Sequence, residues 1–514
     1  MNILFAMYGD FGSNSAHPMA LHARELEALG HACAAAVPAN PGSIEQLVDP
    51  RFRGVLYEDA LRDPASVFAD GRPADIVHAW TPREGVRRFV TAWLAANPAP
   101  LVAYLEDNED WIAKAALAMV GIREDVLLQH SQEVISTWTP PGMPHVLRFR
   151  AFIGLADAAV VIQPKLAVDV PPWVPCATVM PGVDLVRFAP RAPDAALRSR
   201  FGVREGEKVV AYPGGLNDFT RPGMEALARA VGVVNARGVP CRLLRSGPVA
   251  IDFLDRLPPE AAHAVSDLGP LPRDDVPAML SLADALVQPG RNDAFEDLRL
   301  PGKLPELFAM GRPVVMPRTN IADLLEEGVD ALFHDGSPES MAERCLDLFR
   351  DPARAQAIGA AGRAFAQSRF DPRTQAARLE AVYRAAIDAF DPAMARELWT
   401  PDAVRQPVSS LLARRLRLLA KSGRGSPASV PALLQAHAAA LEFMLARSQA
   451  LQEGMAVRDR ELEALRPGTK ALEAEVRELR GRIAALEASL SWRLTRPIRM
   501  AIDLLAGTRG RPRS

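Results

Sequence analysis

Lys303 and Glu306 stand three residues apart in the stretch Leu300-Pro301-Gly302-Lys303-Leu304-Pro305-Glu306-Leu307-Phe308-Ala309-Met310-Gly311-Arg312-Pro313-Val314-Val315. That spacing puts an ammonium and a carboxylate on one face of a helix. Pro301 suits a first helical turn, Gly311 a C-terminal cap, and the residues from Pro313 a buried strand. At the positive end of such a helix the lysine suits a diphosphate, and the carboxylate offers two acceptor oxygens to a vicinal diol such as a ribose. This is the layout of a nucleotide-sugar pocket. The same pair also reads as surface residues of an ordinary amphipathic helix, so the rest of the chain must decide.

The elements that would position such a pair are those of a large soluble protein. The chain has 514 residues, 49% of them hydrophobic and 24% charged, enough for roughly two to four domains with sizeable cores. A net charge of -2 gives no overall electrostatic case for nucleic acid. Cys33, Cys176, Cys241 and Cys345 are scattered, without a Cys-x-x-Cys or a histidine at metal-ligand spacing. A reducing compartment is therefore expected, with neither a disulfide framework nor a zinc site. Met1 to Tyr8 lacks a basic start, and its apolar run is too short for a signal peptide. With no run of bilayer-spanning length elsewhere, a cytoplasmic protein beginning on a buried strand is expected.

Residues 2–8 predict that strand, followed by the loop Gly9-Asp10-Phe11-Gly12-Ser13-Asn14-Ser15 and a helix through Met19, Leu21, Leu26 and Leu29 ending at Gly30. Short apolar runs at Cys33–Val37, Ile76–Ala79, Leu101–Leu105 and Ala158–Ile162 continue the pattern, separated by helical segments. It restarts after Pro190-Arg191-Ala192-Pro193, with strands at Val209–Tyr212, Cys241–Leu244, Ala285–Val287 and Val314–Met316. The fold class is α/β: two Rossmann-like lobes with parallel sheets, and a ligand cleft beyond the carboxyl ends of their strands.

From about residue 391 the composition shifts to Ala, Leu, Glu, Arg and Gln. Leu472, Val476, Leu479, Ile483, Leu486 and Leu490 alternate steps of four and three, with Leu462, Leu465 and Thr469 before them. The reading is a coiled coil, with a helix laid along the catalytic body as its alternative. The division is 1–188 first lobe, 189–372 second lobe, 373–392 return helix, 393–428 basic amphipathic linker helix, 429–491 coiled coil and 492–514 basic tail. Ser410 to Lys421 and Ser491 to Arg499 combine apolar and basic residues that suit an anionic membrane surface, or else pack on protein.

Over residues 1 to 390 the chain resembles the GT-B nucleotide-sugar glycosyltransferases, in particular the large retaining group four family. The resemblance is carried by Gly12 and His17 ahead of Leu29-Gly30-His31, by Ala74 to Trp80, and by the segment Met180-Pro181-Gly182-Val183-Asp184 to Pro190. In the second lobe it is carried by Tyr212-Pro213-Gly214-Gly215-Leu216, by Ser246-Gly247-Pro248, and by the Lys303 to Val315 block. It implies that Glu306 is the second carboxylate of a Glu-x7-Glu motif and binds ribose. Lys303 and Arg221 would face the diphosphate. Gly12, Gly214, Gly215, Ser246 and Gly247 would let the backbone approach the donor.

Three positions depart from the family pattern. Leu298 stands where the first glutamate belongs, Gly215 replaces an arginine, and Trp80 replaces the second histidine of a His-x-His step. Trp80 could stack on a sugar but cannot transfer a proton. The acceptor side is accordingly assigned to Trp80, Arg83 and Glu84, and the catalytic candidates are His17, Asp107 and Glu109, all just after predicted strands. His31 and His78 read as structural.

The expected function is sugar transfer from a nucleotide-diphosphate donor to a glycan or lipid-linked acceptor, with retention, in cell-surface polysaccharide assembly. No cofactor and no obligatory divalent ion are expected, because no Asp-x-Asp signature stands out and the cations supply charge. Expected partners are the nucleotide sugar, the acceptor, an anionic membrane at the inner face of the plasma membrane, and a second copy through the coiled coil, with no nucleic acid. A non-catalytic scaffold and a nucleotide-sugar epimerase are the competing readings.

Overall fold

The computed structural model describes residues 1–123, 132–192, 195–217, 220–248 and 253–421. The expected coiled coil and basic tail, 429–491 and 492–514, lie outside them.

The first sheet has seven parallel strands: β1 (Asn2–Met7), β2 (Ala32–Val37), β3 (Arg53–Leu56), β4 (Ile76–Trp80), β5 (Leu101–Leu105), β6 (Ala158–Val161) and β7 (Cys176–Thr178), in the order β3-β2-β1-β4-β5-β6-β7. The second has six: β8 (Lys208–Pro213), β9 (Cys241–Ser246), β10 (Val265–Asp267), β11 (Ala285–Val287), β12 (Val314–Pro317) and β13 (Leu332–His334), in the order β10-β9-β8-β11-β12-β13. Central strands are buried end to end, as β1 and β5 show, which is why they read as unbroken apolar runs. Phe5 pairs with His78 and Met7 with Trp80 across β1 and β4, setting the ends of these strands level at the cleft.

Both sheets belong to one compact unit. The return helix, Pro372–Asp388, crosses from the second lobe to pack on the first. There Tyr383 bonds His78 Nδ1 at 2.5 Å, and Glu380 bonds His31 Nε2 at 3.0 Å. In place of the single helix expected over 393–428 there are two, Pro392–Leu398 and Val408–Lys421, with a short turn at Ala403–Arg405 between them.

The second of these helices has its apolar side covered by protein. Leu411 and Leu418 are buried. Arg415, also buried, donates to the Ala156 carbonyl at 2.8 Å and to Asp157 at 3.1 Å. Of the two readings for Ser410 to Lys421, an anionic membrane or packing on protein, the buried leucines and Arg415 follow the second. Among the described residues no helix is long and apolar enough to cross a membrane.

Candidate functional site

Strand order reverses between β1 and β4 and again between β8 and β11. Ligands of doubly wound sheets lie outside the carboxyl ends at such points. The loops there carry Tyr8, Ser15 and His17 after β1, Arg83 after β4, Glu106 to Glu109 after β5, Gly214 after β8, and Arg291 to Arg299 after β11.

On the second lobe, Lys303 caps the helix Leu304–Ala309 and Glu306 lies in its first turn. Lys303 Nζ is 3.9 Å from the Glu306 carboxylate, and Arg273 lies 3.7 Å from it on the other side. Both distances exceed hydrogen-bond length. Glu306 is therefore held between two cations while its acceptor oxygens carry no hydrogen bond among the described residues.

His17, in the first turn of the helix Ala16–Ala28, faces this group from the first lobe. Burial, then Arg273, Lys303 and Arg187, push its pKa down to about 4. At neutral pH it is an uncharged imidazole. A cleft of about 440 Å³, open to solvent, runs beside it and is walled by Leu21, Arg24, Asp184, Arg187 and Arg273.

The other cation beside Glu306 is thus Arg273, which the sequence reading missed, whereas Arg221 was expected there. Arg221 opens the helix Arg221–Ala236. Its neighbours Pro222 and Gly223 line a second cavity of about 430 Å³ with Gln288, Arg291, Glu296 and Arg299. Glu296 pairs with Arg299 at 3.2 Å inside that cavity, so a carboxylate does stand near the place vacated by Leu298.

The glycine turns do structural work. The Gly214 N–H donates to the Ser246 carbonyl and the Gly247 N–H to the Gly269 carbonyl, each at 2.8 Å. These two amides are not free for phosphate, contrary to expectation: the first ties the loop after β8 to the end of β9, and the second ties the loop after β9 to that after β10. Gly247 has φ +123°, and a Cβ there would stand 2.7–2.9 Å from backbone atoms of Gly214 and Gly215. Arg245, fully buried, ties the same loops through the carbonyls of Gly214, Gly247 and Pro248 and holds Asp267 with its other amino group. Gly12 is exposed in the β1 loop, its N–H donating to Asp10 at 3.1 Å.

On the first lobe, Glu106 accepts hydrogen bonds from Trp80 Nε1, at 2.8 Å, and from the Ser15 hydroxyl. Trp80 is fully buried. Its indole leaves no open face for a sugar, which corrects the stacking role expected of it: it positions Glu106 instead. Glu84 is likewise closed off. Arg87 holds both its oxygens at 2.7 and 2.8 Å, and Arg88 and Arg148 lie 3.7 Å away, so it anchors the helix Glu84–Ala96 and offers nothing to an acceptor.

Arg83 differs. Its guanidinium stacks 3.8 Å over the Tyr8 ring, with Nε 3.5 Å from Glu109 and an amino group 4.0 Å from Asp107. Burial pushes the Glu109 carboxyl up to about 8 and that of Glu106 up to about 6, with Asp107 adding to both. Burial also raises Asp107, opposed by Arg83 and by Arg299 of the second lobe. Asp107 is therefore the point where this cluster meets the cavity after β11.

The lobes are joined around that point. Asn108 donates to the Ala294 carbonyl at 3.2 Å, and Gln163 to the Asp297 carbonyl at 2.9 Å. Trp111 packs on Phe295 with ring centroids 4.0 Å apart. Among the described residues no group of three or more His, Cys, Asp or Glu could hold a metal ion.

Residues 207–351 match the family described as Glycosyl transferases group 1. A GDP-mannose-dependent alpha-(1-6)-phosphatidylinositol monomannoside mannosyltransferase of Mycolicibacterium smegmatis is 33% identical over 211 residues, 39% of this chain and 53% of that protein. A D-inositol 3-phosphate glycosyltransferase of Thermobispora bispora is 29% identical over 223 residues, 41% of this chain and 50% of that protein. The chain thus spans about half the length of the curated relatives it matches. The structure of HepE from Anabaena in complex with UDP and glucose superposes with a TM-score of 0.56 at 15% identity, over 75% of this chain and all of that one. Residues 207–351 of this chain are a glycosyl transferases group 1 domain, set in a body of two lobes with the GT-B fold.

Proposed function

We propose that this protein transfers a sugar from a nucleoside-diphosphate sugar to a hydroxyl of a glycan or lipid-linked acceptor, with retention of configuration, in cell-surface glycan assembly. The observation that carries the reading is Glu306, unbonded between Arg273 and Lys303 and opposite the uncharged His17. A ribose diol satisfies the open carboxylate, and the two cations then neutralise the adjoining diphosphate.

In the transfer the anomeric C–O bond to the diphosphate breaks, its electron pair leaves with the phosphate, and the acceptor oxygen bonds the anomeric carbon as its proton passes to the departing diphosphate oxygen. Positive charge fixed in place beforehand stabilises the leaving group as that bond lengthens. Arg273 and Lys303 supply this charge from the chain itself, so the reading requires no divalent ion. Loss of transfer in EDTA, restored by magnesium or manganese, would overturn that part.

The activities of the relatives, transfer from GDP-mannose to a phosphatidylinositol mannoside and glycosyl transfer to D-inositol 3-phosphate, support a nucleotide-sugar donor and a polyol or glycolipid acceptor. The test is a thermal-shift panel of nucleotide sugars on the full chain, followed by release of the nucleoside diphosphate with a glycan acceptor added. Stabilisation by at least one nucleotide sugar is expected. No stabilisation and no release across the panel would leave the non-catalytic scaffold standing.

A further inference from the structure

Arg83 and Glu109 are each more than nine-tenths buried, yet polar atoms of both are left without a hydrogen bond among the described residues. Arg83 Nε and both oxygens of Glu109 lack a hydrogen-bond partner among the described residues, although the two groups lie 3.5 Å apart. A buried polar group left in this state is destabilising unless a ligand or water meets it. Thr81 adds a fourth open atom: its buried hydroxyl is unpartnered, and its backbone sits at φ +75°. A β-branched residue held there is strained, and such strain collects at ligand clamps.

The pair is fixed from behind, as a binding group must be. Tyr8 lies under the guanidinium, and Glu109 opens the helix Glu109–Met119, whose cap is Asn108 accepting from the Trp111 N–H. In front stands Asp107, the carboxylate of this cluster that also feels Arg299 of the second lobe.

A guanidinium that only donates, beside a carboxyl that can both give and take a hydrogen, complements neighbouring hydroxyls, since each hydroxyl also gives one hydrogen and accepts another. A phosphate suits the place poorly. Glu106, Asp107 and Glu109 crowd a single arginine, so a second anion would meet repulsion.

We propose that Arg83 and Glu109, with Asp107 at the rim, form the acceptor subsite, and that it takes two adjacent hydroxyls of an uncharged sugar or polyol ring. This rests on the transferase reading above, and names the acceptor chemistry that reading leaves open.

The test is direct binding of methyl α-D-mannopyranoside and myo-inositol, against mannose 6-phosphate and inositol 1-phosphate, to the full chain with GDP or UDP present. Saturation-transfer NMR reports the contact and titration gives the affinity. A neutral probe should bind, and Arg83→Ala or Glu109→Ala should weaken it about tenfold or more, the worth of one or two hydrogen bonds to charged groups. Nucleotide affinity should move by less than about twofold, because neither Arg83 nor Glu109 lines the cavities beside His17 and Arg299. Where the alanine variants do not fold, Arg83→Lys, which keeps the charge and loses the guanidinium fork, should still weaken the neutral probe with the nucleotide unaffected.

Tighter binding of a phosphorylated probe, absence of any neutral binding, or equal loss of nucleotide and neutral probe would overturn the assignment. Intact neutral binding without transfer from any nucleotide sugar would sink the transferase reading and leave the subsite standing.

Discussion

Lys165 of the first lobe reaches Asp297 of the second, with Nζ to Oδ1 at 2.7 Å, and bridges on to Asp323 at 2.9 Å. The Asn320 N–H donates to the same Asp297 oxygen at 3.1 Å, so the carboxylate is gripped from both lobes. It belongs to the 294–299 segment that also carries Glu296 and Arg299 into the cavity after β11. Opening the lobes must therefore disturb that cavity.

Lys165→Ala should open the lobes more than it unfolds them. The lysine is partly exposed, so the loss in stability should be about 0.5–1 kcal/mol. Small-angle scattering should show a larger mean dimension, and the donor KM should rise. Unchanged scattering and KM would remove the joint from any part in donor binding.

Glu306→Gln separates binding from folding. The carboxylate makes no close bond within the protein, its cations standing 3.7 and 3.9 Å away. Its removal should leave the melting temperature nearly unchanged and weaken nucleotide-sugar binding about tenfold, the worth of a charged hydrogen-bond acceptor. Calorimetric titration reads the second effect, and an unchanged affinity would take Glu306 out of the site.

Gly247→Ala should do the reverse. At φ +123° an L side chain is strained, and the added Cβ would meet main-chain atoms of Gly214 and Gly215 at under 3 Å. The paired loops cannot give without breaking the bonds that Arg245 makes to them. A loss of about 3 kcal/mol or more is expected in denaturant melts. A loss below about 1 kcal/mol would show that the loops yield.

Nine of the thirteen strands lie in the runs read from the sequence, and the four missed share one property. Strands β3, β7, β10 and β13 are the outer strands of the two sheets, three or four residues long. An edge strand has a neighbour on one side only and needs no long apolar run, so Arg53-Gly54-Val55-Leu56 or Val265-Ser266-Asp267 leaves little periodic signal. Missing β10 also hid Arg273, which lies in the turn that follows it. Lys303 and Glu306 were legible because a helix start fixes their common face. Trp80 was misread because a tryptophan beside Thr-Pro at a strand end looks exposed, and nothing local tells that Ser15, Glu106 and Tyr104 close over it.

Arg415 tests what covers the helix Val408–Lys421. Its guanidinium bonds the first lobe at Ala156 and Asp157, so Arg415→Ala leaves a carbonyl and a carboxylate under-bonded at a cost of about 1–3 kcal/mol. The helix should then become open to protease. A chain ending at Lys421 should not float with anionic liposomes in the parent form. Flotation of that chain would return this helix to the membrane.

Glu109 sets a pH dependence with a definite sign. Its carboxyl, raised to about 8 by burial, holds in the folded protein a proton that the unfolded chain releases near the ordinary glutamate value. A group raised in this way favours the folded state at low pH, and its contribution falls as pH climbs toward the folded value. Below about pH 7.5 the trend is masked, because the histidines of the unfolded chain titrate near 6.5 whereas His17, His22, His78 and His334 are lowered to about 4, 4, 3 and 4 in the folded protein, which drives stability upward with pH. The clean window runs from about 7.5 to 8.5, about one pH unit above the unfolded histidine value and across the folded value of Glu109. There the unfolding free energy of the parent chain should fall, by at most about 1.4 kcal/mol per pH unit. Glu109→Gln, uncharged throughout, should flatten the fall. Arg83, Asp107 and Glu106, the charged or titratable groups that act on Glu109, remain in both proteins, so the difference between the two slopes belongs to Glu109. Parallel slopes in denaturant melts at about pH 7.5, 8 and 8.5 would show that Glu109 is ionised in the folded chain.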